Sequence, residues 1–180
     1  IDLVRSKRRY IKWDWERARR CVFNDYWGSP TPTFNDGMFE RTFRVTRLIA
    51  DRLLQIAANS DPFFTDRTDA LGKRGICPKV KLLMSLKLLA YGCSPSAFLA
   101  YFQMGETTAR QCLTRFALIM SSHPDILEVY LRPLSRSDAK QVTSLHRDVH
   151  GVEGMVGCLD CMHVGWKNCP KAWQGQTAGK

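Results

Sequence analysis

Gln103-Met104-Gly105-Glu106-Thr107-Thr108-Ala109-Arg110-Gln111-Cys112-Leu113-Thr114-Arg115-Phe116-Ala117-Leu118-Ile119-Met120 is the stretch on which the fold turns. Ala109, Cys112, Leu113, Phe116, Ala117 and Met120 recur at the spacing of one α-helical face, which predicts a helix from about Glu106 to Met120 with that face buried. Thr107, Thr108, Arg110, Gln111, Thr114 and Arg115 point elsewhere. Upstream, Ser94 is placed to cap a short helix over 95–102, with Pro95 at its first position, where the missing N–H costs nothing. Before that, 79–91 is apolar over a wide arc and predicts a central helix closed by Gly92-Cys93. A short helix, a turn containing Gly105, and a helix carrying Thr, Gln and Arg near its start is the order of a helix-turn-helix, over about 79–120. Gln pairs with adenine and Arg with guanine in the major groove, so the six polar residues are candidate DNA contacts. The same spacing also fits a plain three-helix packing unit.

Charge points the same way. The chain carries 27 Lys and Arg against 17 Asp and Glu, a net +10 over 180 residues, which favours an acidic partner, nucleic acid before an anionic membrane. No apolar run is long enough to span a bilayer, so no membrane insertion is expected. The apolar share of 44% allows a real core. Seven scattered cysteines, with no secretory signal at Ile1–Tyr10, read as reduced thiols in a cytosolic or nuclear protein.

Residues 1–35 predict a basic, partly disordered arm, with Lys7-Arg8-Arg9 and interspersed Trp13, Trp15 and Trp27. Its cations read as a nuclear address, as phosphate contacts or as a solvated terminus. Residues 36–58 predict one helix, capped by Asn35 or Asp36 and apolar through Phe39, Phe43, Ile49, Leu53 and Ile56; Arg41, Arg44, Arg47 and Arg52 are expected on a solvated face. Asn59-Ser60-Asp61-Pro62 ends it, and 63–78 reads as loop. A short helical piece over 125–130 precedes a helix capped by Ser137 or Asp138 that runs to about His150. His146 and His150 lie four apart without an acidic partner and read as surface or satisfied histidines. The helical DNA-binding region is thus expected over 36–150.

The last stretch, 151–180, carries a lone carboxylate in an apolar run. Met155–Val164 predicts a strand, with Cys158, Asp160 and Met162 on one face and Cys161 and His163 on the other. Zinc is one reading, with Cys158, Cys161, His163 and Cys169 as ligands, but alternation separates those groups where zinc needs them convergent. The other reading makes Asp160 a ligand for Mg²⁺ or Mn²⁺, ions that accept one or two carboxylates plus substrate phosphate. A lone strand carboxylate is also commonly structural.

Gly157-Cys158-Leu159-Asp160-Cys161-Met162-His163, with Trp166-Lys167-Asn168-Cys169-Pro170 and Ala172-Trp173-Gln174-Gly175, resembles the PIF/Harbinger-type transposases, in the plant transposon protein branch of the DDE endonuclease superfamily. Softer blocks at 39–44, 69–72, 89–92, 104–108 and 149–151 extend the resemblance over most of 36–180. It implies a mainly α chain that ends in the first strand of a truncated RNase H-like α/β domain. Asp160 would be the first of three catalytic carboxylates, a metal ligand in a Mg²⁺- or Mn²⁺-dependent nuclease that cuts and joins DNA at transposon ends. A nuclear location and a Myb-like protein partner are implied as well. Gly165 departs from the bulkier or acidic residue of relatives, and no acidic residue follows Asp160. The expectation is therefore the N-terminal part of a transposase, catalytically incomplete by itself. The alternative is a domesticated, non-catalytic DNA-binding or chromatin-associated protein.

Overall fold

The computed structural model describes residues 11–28, 31–130, 132–160 and 171–177. The chain is mainly helical and forms two compact units, Ile1–Leu131 and Arg132–Lys180.

The first unit is built around a helix that is buried on nearly every side. It follows α1 (Trp15–Val22), α2 (Asp36–Phe43) and α3 (Arg47–Ser60) in the chain and is α4 (Pro78–Tyr91). Val80, Leu82, Leu83, Met84, Leu86 and Leu88 of α4 are all buried, as its unbroken apolar run requires. Pro78 opens α4 and Gly92, at φ 58°, closes it in the left-handed conformation that a residue without Cβ adopts cheaply. After α4 come a 3₁₀ turn at Pro95–Ala97, α5 (Leu99–Phe102), α6 (Glu106–Ser122) and α7 (Pro124–Tyr130). Phe102 and Met104 are buried on either side of the turn, and Ala109, Cys112 and Phe116 of α6 join the same core as α4. Of the face expected on α6, Leu113 and Met120 are half-buried and Ala117 is exposed.

Residues 36–58 do not form one helix. Arg44 adopts φ 61° and ends α2, and the Thr46 side chain accepts from Ile49 N (3.3 Å) to start α3. The break carries α3 away from the Phe39–Phe43 line: Phe39 and Phe43 are buried, whereas Ile49 is exposed and Ala50 and Ala57 take the inner face. Arg47 is not on a solvated face. Its guanidinium donates to Tyr26 O and Phe34 O (3.1 Å for the latter) and pairs with Asp36 (3.0 Å), clamping the segment before α2 onto α3.

The expected arm is folded over its described part. Asp14 caps α1 by accepting from Arg17 N (2.9 Å), and a π-helical turn, Phe23–Trp27, continues from α1. Ala18, Val22 and Tyr26 are buried, one side of the segment at fourfold spacing. Burying that side is what orders the segment despite its charge. Tyr26 packs in an aromatic cluster with Phe34, Phe39 and Phe43, and Lys79 lies 4.0 Å over Trp27 while pairing with Asp51 (3.1 Å).

The second unit holds α8 (Arg136–His150) and α9 (Lys171–Thr177). Ser135, rather than Ser137 or Asp138, is the cap of α8; Asp138 completes a capping box, and Gly151 at φ 68° closes the helix. Among the described residues of this unit none is buried, and none is in a strand. Met155–Asp160, expected as the start of a strand, has no regular structure, because a strand is held by a ladder and no neighbouring strand pairs with it among the described residues. The rest of that expected strand, with Cys161, His163 and Cys169 of the zinc reading, lies outside the described residues.

Candidate nucleic-acid interface

The turn between α5 and α6 is tightly made. Gln103 takes φ 45°, its amide donates to Ala100 O (2.6 Å), and its carbonyl oxygen accepts from Asp14 N (3.2 Å). The Trp13 indole nitrogen sits 3.6 Å from where a Cβ on Gly105 would be. The segment Trp13–Asp14 thus packs against the turn at the head of α6.

Gly105 is the N-cap of α6 and has no side chain to occupy the free amides of the first turn. Those N–H groups and the helix dipole make a helix start receptive to phosphate. Glu106 works against an anion there, but Arg110 pairs with it at 2.5 Å, one turn on.

The six candidate contacts divide by helix geometry. Thr107, Arg110, Gln111 and Thr114 are exposed on the face opposite Ala109, Cys112 and Phe116. Thr108 and Arg115 stand seven residues apart, about 20° on the helical wheel, and share a flank. Thr108 is half-buried there, and Arg115 pairs with Asp61 (2.7 Å) and lies 5.0 Å over the Phe63 ring. Thr107, Gln111 and Thr114 are therefore placed to meet a ligand together with Arg110, whose pairing with Glu106 is exposed, while Arg115 is committed to holding α6 against the end of α3.

The interior behind α6 is unusual in holding a lysine. Lys81 is buried and donates to Phe63 O at 2.6 Å; burial pushes its pKa down. Burial likewise pushes the Cys112 thiol up to about 12, partly offset by Lys81, which keeps this cysteine protonated and inert.

Sequence reading missed the cations beside Trp13. A cleft of about 510 Å³ is lined by Lys12, Trp13, Trp15, Lys73 and Arg74 together with Asp14 and Glu16. Its signal in the sequence was the basic and aromatic mix of 1–35, which carried no information on the loop residues that complete it.

Asp160 is exposed and stands in the irregular stretch of the second unit. Among the described residues no group of three or more His, Cys, Asp or Glu could hold a metal ion. His146 and His150 are within 5.4 Å, ring centre to ring centre, without a third ligand among those residues.

A family model described as "Plant transposon protein" matches residues 128–180. That segment is similar to a transposon protein, which supports a transposase-related origin for it. No curated protein and no solved structure matches the chain. Among the described residues no helix is long and apolar enough to cross a membrane.

Proposed function

We propose that the chain binds double-stranded DNA through the N-terminal half of α6, as the DNA-binding part of a transposase-related protein. One observation carries this reading. Thr107, Arg110, Gln111 and Thr114 stand clear on the outer face of a helix whose first-turn amides have no side-chain cap, directly after a short helix and a tight turn. The net charge of +10 supports it, and so does the transposon-protein similarity of the segment that follows.

The finer reading is a Harbinger-like DDE transposase, acting at transposon ends in the nucleus with a Myb-like partner. The string around Asp160 supports it. Asp160 would there be a ligand for Mg²⁺ or Mn²⁺. The described residues do not by themselves make such a centre, since a two-ion site needs several convergent carboxylates and Asp160 belongs to no such group among the described residues.

The test is binding of the full chain to random-sequence duplexes by fluorescence anisotropy across a salt series. Arg110→Ala with Gln111→Ala is expected to weaken binding about tenfold or more and to lower the log–log salt slope by about 1, for the one phosphate-competent cation removed. Unchanged affinity and slope in a variant with an unaltered melting temperature would sink the α6 reading.

A further inference from the structure

The loop between α3 and α4 is an ordered, strongly basic hairpin turn. Thr68 and Arg74 form an antiparallel bridge, Gly75 N donates to Arg67 O (2.7 Å), and Asp69 N donates to Lys73 O (2.9 Å). The Asp69 carboxylate accepts from both Leu71 N and Lys73 N at 2.9 Å, and Gly72 makes the reversal at φ 74°. The turn therefore holds its shape through its own backbone. Among the described residues the Arg67 and Arg74 side chains make none of these hydrogen bonds, while Lys73 lies over the Trp15 ring. Arg67, Lys73 and Arg74 are exposed, and none has an ion-pair partner among the described residues. Arg19 of α1 joins Arg67 and Arg74 around a second cleft of about 340 Å³, where Asp66 is the one opposing charge.

The hairpin is also tied to the start of α6. Lys73 Nζ lies 4.6 Å over the Trp15 ring, Lys73 and Arg74 line the same cleft as Trp13, and Trp13 meets Gly105 at the head of α6. Hairpin and α6 thus border one cleft, with Lys73 and Arg74 on one wall and Trp13, beside Gly105, on another. Leu71, at the tip, is 93% exposed, an apolar end on a cationic turn.

We propose that the hairpin turn Thr68–Arg74, with Arg67 and Arg19 beside it, is a second DNA-contacting element that grips the phosphate backbone flanking the groove entered by α6. This rests on the α6 reading for its placement on DNA but not for its chemistry. A pre-ordered turn with unpaired cations neutralises phosphates without a further ordering cost, and contacts of this kind position a protein on the duplex while α6 reads it. A basic turn tipped by leucine also suits an anionic membrane, but its linkage to the head of α6 favours DNA.

The experiment measures the full chain on random-sequence duplexes over a salt series, with three variants. Arg67→Ala with Arg74→Ala should lower the log–log salt slope by about 2 and weaken binding to all duplexes alike. Arg41→Ala with Arg52→Ala removes the same charge from exposed positions on α2 and α3 and should change the slope much less. An equal loss in both pairs would reduce the effect to net charge and overturn the proposal. Arg110→Ala with Gln111→Ala separates the two readings: if that variant binds normally while the hairpin variant fails, the hairpin stands and the α6 reading falls. If only the α6 variant fails, the hairpin proposal falls. No binding by the unsubstituted chain overturns both. Loss of binding to phosphatidylserine vesicles in the hairpin variant, with its DNA slope unchanged, would assign the turn to membranes and also overturn the proposal.

Discussion

The two units of the chain carry different kinds of information. The first has a core that takes in residues from α1 to α6, with Phe39, Phe64, Leu82 and Leu83 fully buried, and lies outside the transposon-protein match except at its last residues. The second lies wholly within that match and has no buried residue among those described. Its main helix is held by local devices instead: the Ser135–Asp138 capping box, the Arg132–Asp138 ion pair and the Gly151 closure. Val149 and Leu145 of the apolar stripe on α8 are mostly exposed. A stretch can thus be distinctive as a string while lacking the burial that would make it rigid. The reverse also holds, because a helical core is specified by spacing that many unrelated sequences satisfy.

The largest effect that would test this contrast is in the core. Phe64→Ala removes a fully buried ring that packs against Phe116 at 6.3 Å and should cost about 3–5 kcal/mol in unfolding free energy. Leu145→Ala on α8 should cost less than about 0.5 kcal/mol by the same thermal or urea unfolding. Similar losses at the two sites would erase the distinction between the units.

Next is the tie between α6 and the end of α3. Burial raises the Asp61 pKa, but the Phe63 N–H and Arg115 outweigh it, with Lys81 adding, and hold the carboxyl below its ordinary range. A carboxyl lowered in the folded state contributes stability above its unfolded pKa and loses it as pH falls through the folded one. Arg115→Ala should cost about 1 kcal/mol near neutrality, and the gap to the unsubstituted protein should narrow as the pH is lowered through the carboxylate range. A gap that stays constant as the pH falls would show that Arg115 acts by packing on Phe63 alone.

A smaller effect is expected at the α8 cap. Ser135→Ala leaves Asp138 N without its acceptor and should reduce helical circular dichroism while the main unfolding midpoint stays put. A shift of that midpoint would mean that α8 melts with the core. Smallest of all, Arg110→Ala with Gln111→Ala should alter stability by no more than about 0.5 kcal/mol, since both are exposed and the ion pair of Arg110 is with exposed Glu106.

Spacing alone located α4, α6 and the turn between α5 and α6, because long apolar periodicities and Ser-Pro and Gly signals act locally. It did not reveal the break at Arg44, where a left-handed arginine is tolerated because Thr46 caps a new helix two residues later. The helix over 15–22 was hidden behind its arginines, although Ala18, Val22 and Tyr26 held the right spacing. Arg47 and Arg115 were legible as charges but not as clamps, since their acceptors, Tyr26 O, Phe34 O and Asp61, are distant in sequence. The strand expected around Asp160 rested on composition, and a strand's structure depends on partners that composition does not contain.

Amide hydrogen exchange on the full chain, with and without a random-sequence duplex, tests most directly where DNA sits. Slowed exchange is predicted at Glu106, Thr107 and Thr108, the first-turn amides of α6, together with the Thr68–Arg74 turn. Protection confined to 132–177, or no protection anywhere at saturating duplex, would contradict the assignment of DNA binding to the first unit.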